Sequence, residues 1–131
     1  MTAAGQDGPF FENGEATLTG LYIRKWLQTT TNIESGEGKS AQPFILMRYA
    51  EILLTAAEAA IELELAGAPS PDGSSLLQVA TDNINQIRER AGASLLVGSL
   101  TPDNAGRDLV RKERRKALAF EHKSKWDIRR W

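Results

Sequence analysis

The chain is 131 residues long, 41% hydrophobic and 25% charged, with a formal net charge of −1. Its length fits one domain able to bury roughly two-thirds of its unfolded surface, and its overall balance calls for no polyanionic partner. The absence of cysteine excludes disulfides, thiolate metal sites and cysteine nucleophiles. No apolar run approaches the roughly 18–20 residues of a membrane span, and the opening MTAAGQDGPFFENGEA lacks the basic and apolar regions of a signal peptide.

Residues 1–43 are rich in Gly, Thr, Ser and Asn and read as a loop-rich, irregular segment. One amphipathic patch, Leu18–Leu27, fits a short strand or an extended segment laid over a core. Pro43 closes the loop. The helical part is expected over 44–131, in three segments.

The first segment is expected from about Phe44 to Ala66, ended by Gly67 with Pro69 and Pro71 beyond. On a 100° wheel its apolar side chains, Leu46, Tyr49, Ile52, Leu53, Leu54, Ala57 and Ile61 among them, cover roughly 220°. Arg48, Glu51, Thr55, Glu58 and Glu62 make a narrow polar strip. Such a helix is packed on two sides. The second segment is expected from about Ser75 to Ala91, with Ser74 as N-cap and Gly92 as its exit. Its stripe (Leu76, Leu77, Ala80, Ile84, Ile87, Ala91) is only about 100° wide, so it covers the core from one side. A short link makes the two antiparallel neighbours, the unit of a tetratricopeptide-like superhelix, and one pair cannot bury both its faces.

The third segment begins near Thr101, with Pro102 at its first position, or near Arg107 if Gly106 interrupts it, and runs to the C-terminus with a possible kink near His122–Ser124. It is the most polarised part of the chain. Arg107–Trp131 holds ten of the sixteen Lys and Arg against four acids, about +6, while residues 1–106 are about −7. A basic amphipathic tail is a feature of nucleic-acid or anionic-membrane binders. With Leu109 at 0° on a continuous wheel, however, Leu109, Val110, Ala117, Phe120, Ile128 and Trp131 form the inward stripe. Glu113, Glu121 and Asp127 fall in or beside it, and the cations wrap the outside. A nucleic-acid helix carries no carboxylates at its seam. Inward carboxylates need cationic or backbone donors, and Arg48, Arg114 and Arg130 are the candidates.

Catalytic patterns are missing. His122 is the only histidine, no helical His/Glu metal spacing occurs, and there is no phosphate-binding glycine loop or nucleophile elbow. Neither cofactor nor metal is expected, and the chain does not read as an enzyme. Glu51, Glu58 and Glu62 share a face, best explained as a solvated or salt-bridged strip. Trp26, Trp126, Trp131, Tyr22 and Tyr49 could stack sugars. Packing is the better reading for Tyr49 and Trp131, while at Trp126, outside the apolar stripe, packing and ligand binding stand level.

Four stretches carry a resemblance. Arg48-Tyr49-Ala50-Glu51-Ile52-Leu53-Leu54 with Ala57-Glu58-Ala59 resembles the "RYAE-LL-AEA" helix of the SusD/RagB family of Bacteroidetes nutrient-binding lipoproteins. Asn85 through Gly92 is similar to that family's "N-IR-RAG" helix end. Glu113-Arg114-Arg115, Leu118-Ala119-Phe120-Glu121 and Trp126 through Trp131 resemble its closing "ERR-ELAFE-R-WDLRRW" signature. Thr19 to Lys25 is similar to the segment before the loop. The match runs from about residue 17 to 131 in family order, departing at Lys116-Ala117 and at Ser124.

The resemblance implies an all-α fold of tetratricopeptide-like helix pairs and a surface lipoprotein of the outer membrane. Such a protein caps a TonB-dependent, SusC-like transporter and presents glycans or other oligomeric nutrients to it. It also implies that this chain is the C-terminal part of a longer protein, its lipid anchor elsewhere. On this reading Arg48, Glu51, Glu113, Arg114, Glu121, Asp127 and Arg130 are an ion-pair network joining the helices, Trp126 is the candidate ligand residue, and nucleic acid is not expected. The alternative from another class is a stand-alone helical interaction module whose basic C-terminal helix binds phosphate or nucleic acid.

Overall fold

The computed structural model describes residues 45–131 together with Lys25 and Pro43. The loop-rich N-terminal segment, its Leu18–Leu27 patch, Tyr22 and Trp26 lie outside the described residues. Ile45–Trp131 forms one compact unit. Its elements are α1 (Tyr49–Leu65), α2 (Leu76–Arg90), α3 (Asn104–Ala117) and α4 (Ser124–Arg130). Among the described residues there is no strand, and the fold is all-α.

Helices α1 and α2 fold back on one another and close the core with α3. Ala57, Ala60 and Ile61 of α1 meet Leu76, Ala80 and Ile84 of α2, and Val110 of α3 and Leu100 of the preceding loop complete the cluster. The small Ala positions let the backbones approach. Leu54, Ile61, Ile84 and Val110 are fully buried, each contributing about 1.5–3 kcal/mol of transfer free energy. Both helices of the pair end on a glycine in the left-handed region, Gly67 at φ 64 and Gly92 at φ 66. Ala68 N–H then reaches Leu63 O and Ala93 N–H reaches Arg88 O, which satisfies carbonyls the helices would leave open.

The loop from α2 to α3 is pinned by side chains of α2. Asn85 Oδ1 accepts from Leu96 N–H (2.8 Å) and its Nδ2 donates to Leu96 O (3.3 Å). Arg88 Nε donates to Ser94 O and Thr81 Oγ1 accepts from Leu100 N–H. Gly106 sits in the first turn of α3 where a Cβ would collide with the carbonyl oxygen of Thr101.

Four expectations need correction. Helix α1 starts at Tyr49, not near Phe44: Arg48 is extended (φ −139, ψ 161), and the carbonyl of Leu46 accepts from Lys123 Nζ instead of from a helical N–H. The cap of α2 is Ser75, because Ser74 turns its hydroxyl to Asp72. Helix α3 starts at Asn104 behind an Asp103 cap whose carboxylate accepts from Gly106 N–H.

The fourth correction is the largest. The terminal segment is not one helix, since α3 stops at Ala117 and the chain turns through Phe120 (φ 63) and His122 (φ 60) before α4 begins. A continuous helix would hold Arg114 and Asp127 about 20 Å apart along its axis. The break brings them to 2.9 Å. It also throws Phe120 and Ile128, placed inward by the continuous wheel, onto the surface.

Candidate functional site

The charged residues of the first and last segments meet in one seam between α1, α3 and α4. At its centre Arg114, buried, donates from Nε to both oxygens of buried Asp127 at 2.9 Å. Its Nη2 lies 3.7 Å from Glu51 Oε1 and its Nη1 donates to Thr55 Oγ1. Lys123 Nζ approaches the other oxygen of Glu51 at 3.1 Å. Asp127 also accepts from Arg130 Nη2 at 3.2 Å.

Above this centre stands Glu58. Arg130 grips it with two parallel bonds (2.7 and 2.8 Å), and Trp131 Nε1 donates to Oε1 at 2.7 Å. Burial alone would raise the Glu58 pKa. The hydrogen bonds from Arg130 and Trp131, with the charges of Arg130 and Arg114, outweigh it and hold the carboxyl below its ordinary value. The same pair raises the Arg130 guanidinium above its own. Arg111 stacks on the Trp131 ring at 5.0 Å, so Trp131 is part of the seam.

Below it, Arg48 Nε donates to both Glu121 oxygens at 2.9 and 3.0 Å, and its Nη2 donates to the carbonyl of Ala117. One guanidinium therefore closes the C-terminus of α3, where the helix dipole favours a cation and carbonyls lack partners.

Glu113 stands apart from this seam. It pairs with Arg88 of α2 at 2.7 Å and with Lys116 at 3.2 Å. The remaining six expected network residues lie in the seam itself. Sequence reasoning missed the partners Arg88, Lys123 and Trp131, and it left Glu58 and Glu62 as members of a strip. Glu62 is bound bidentately by Arg107 at 2.6 and 2.7 Å. The signal that could have found the pairings of Glu58 and Glu62 is their four-residue repeat on one helix, opposite a segment so rich in arginine.

The orientation of α1 follows. Glu51 and Glu58, on its polar strip, face inward because cations await them there, and Tyr49 (69% exposed) and Ile52 stand outside. The packing expected of Tyr49 is not met among the described residues. An open groove of about 480 Å³ runs beside it, between the start of α1 and the end of α2, with Arg90 and Gln86 in its lining. Trp126, on α4, is 63% exposed. Among the described residues no group of His, Asp or Glu is placed to hold a metal ion, and no helix is long and apolar enough to cross a membrane.

Comparison with known proteins places these residues. A model of the SusD family matches residues 8–131. A SusD-like protein P2 of Formosa agariphila is 33% identical over 129 residues, which is 92% of this chain and 23% of that protein. The chain thus spans about a quarter of the length of this curated relative. No solved structure matches it.

Proposed function

Because the chain belongs to the SusD family, we propose that it serves the capture of glycans or other oligomeric nutrients in an outer-membrane uptake system of the SusC/SusD kind, without catalysing a reaction. In this reading residues 44–131 are the family's helical C-terminal part and residues 1–43 an irregular approach to it. The whole protein is a surface lipoprotein whose partner is a TonB-dependent transporter. Nutrient is held by aromatic stacking and hydrogen bonding and handed on by movement of the protein over the transporter.

The observation that carries the reading is the agreement of two levels. The family match covers nearly the whole chain, and the residues of its three motifs are the ones that hold the helices together. Arg48 and Glu51 of the first motif pair with Glu121 and Arg114 of the last, and Glu51 also with Lys123 in the gap of that motif. Their role is that of a clasp. The cations of the terminal segment are largely consumed inside the molecule, so the segment is not a free polyanion grip.

The test is co-expression of the tagged chain with a SusC-like β-barrel transporter from the same genome, followed by purification in detergent and retention on a polysaccharide panel. Recovery of the transporter with the chain, and retention on at least one polysaccharide, are expected. Recovery of neither would overturn the reading, and salt-sensitive retention on duplex DNA alone would favour a stand-alone basic module.

A further inference from the structure

Helix α4 is built inside out. Its one buried residue is the charged Asp127, while Trp126 and Ile128 are exposed. With Asp127 pointing inward, successive 100° steps place Lys125 and Arg129 on the opposite, outward side, with Trp126 on one flank and Ile128 on the other. Lys125 Nζ and Arg129 Cζ each lie 6.0 Å from the centroid of the Trp126 ring, the outer limit of a cation–π contact. They border the indole without sealing it. Arg115 of α3 lines a small cleft with Ser124 and Ile128, on the flank of α4 away from Trp126. Arg115 is exposed, and among the described residues it has no carboxylate partner. The nearby acids Glu113 and Asp127 are turned inward and paired.

We propose that this outward face of α4 is a saccharide subsite for an anionic sugar, one carrying a carboxylate or a sulfate. Trp126 is the stacking platform, and Lys125 and Arg129 receive the charge. The inference rests on the glycan-capture reading above and names the substrate class. A sugar ring offers the indole an apolar C–H face, and a charged substituent at its edge comes within reach of both cations. A neutral sugar would use the ring and leave the cations idle. A lipid surface fits poorly, because Trp126 and Ile128 lie about 160° apart around α4 and cannot be immersed together. Single-stranded nucleic acid is held by successive stacking rings, and the outward face of α4 offers one.

The test is native affinity electrophoresis of the full chain in gels containing dextran, dextran sulfate, polygalacturonate or poly(dT). Dextran and dextran sulfate share a backbone, so their comparison isolates the charge. Dextran sulfate or polygalacturonate is expected to retard the chain more than dextran does. Trp126→Ala should weaken that binding at least about fivefold, the lower end of what losing one stacking ring costs. The double variant Lys125→Gln/Arg129→Gln, both on exposed side chains, should reduce the anionic polymers to the level of dextran. Retardation by dextran sulfate and by polygalacturonate no greater than by dextran would overturn the proposal while leaving glycan capture standing. So would binding that survives both variants, or poly(dT) bound as tightly and with the same dependence on Trp126. Retardation by none of these saccharides would overturn the proposal, and recovery of the transporter with the chain would then show that the uptake reading stands without it.

Discussion

Glu58 offers the sharpest chemical handle on the seam, since one buried carboxylate receives three hydrogen bonds from the last two residues of the chain. Replacing it by alanine removes the acceptor of the Trp131 indole N–H, at about 1 kcal/mol for a partly buried donor left unpaired. It also removes a bidentate pair with Arg130. That guanidinium is half exposed and can rehydrate, so the pair counts for about 1 kcal/mol after solvent screening. The expected loss is therefore about 2 kcal/mol in urea denaturation at neutral pH, read by tryptophan fluorescence and circular dichroism. Glu58→Gln keeps an acceptor for the indole and should lose about half as much. The pH dependence has a fixed sign. The folded-state pKa of Glu58 is held below the ordinary 4.5, so its contribution is complete above that value and is lost as pH falls through 4.5 and below. The stability gap between the native chain and Glu58→Gln should be widest at pH 6–7 and close toward pH 3. The gap is the quantity to read, because Asp72, held at about 2 by the Ser74 and Ser70 hydrogen bonds, and Asp103, lowered by Thr101 and Gly106, titrate in the same range. A gap that stays constant from pH 7 to pH 3, or that widens in acid, would refute the reasoning.

Gly106→Ala should destabilise the unit by about 1–3 kcal/mol by overpacking, measured by thermal denaturation, because its Cβ would meet the backbone carbonyl of Thr101 and not a yielding side chain. The same change in an unconstrained helix interior would stabilise by up to about 1 kcal/mol, so a stabilised variant would mean that Thr101 is free to move. Asn85→Leu should cost about 1–3 kcal/mol by leaving both polar groups of Leu96 without their partner. Amide exchange of residues 94–100 is expected to quicken ahead of the helices, and unchanged exchange there would contradict the role given to Asn85.

Much of the fold is legible in the residues themselves. The apolar spacing of α1 and α2 and the glycines that end them are local signals, and they locate those helices to within a few residues at every end but the first. The start of α1 is not local. Arg48 is held extended, its side chain on Glu121 at a separation of 73 residues, and no neighbour in sequence announces that. The break between α3 and α4 is legible only as a kink near His122–Ser124, and its extent from Leu118 is hidden for the same reason. It carries neither Gly nor Pro, and the left-handed conformations of Phe120 and His122, each costing about 1–2 kcal/mol, are sustained by ion pairs that only the turn makes possible. Once the helix is assumed continuous, the wheel misplaces Phe120 and Ile128. The types of residue in the seam could be read, since carboxylates on an inward face demand cations. Their pairing could not, because Glu113 finds Arg88 on a different helix. The exposure of Tyr49 likewise depends on which way α1 is rotated, and that is set by Glu51 and Glu58 reaching for cations from the far end of the chain.

A double-mutant cycle between Arg114 and Asp127 tests the clasp most directly. Asp127→Ala leaves a buried guanidinium facing Glu51 at 3.7 Å, Thr55 and the more distant charge of Glu58, and losses of about 3–5 kcal/mol are typical of a buried pair broken on one side. Arg114→Met should cost a similar amount, and the double variant should cost far less than the sum, for a coupling energy of about 2 kcal/mol or more. Coupling below about 0.5 kcal/mol, with each single variant as stable as the native chain, would show that the last helix is not held by this pair and that its charges are free for another use.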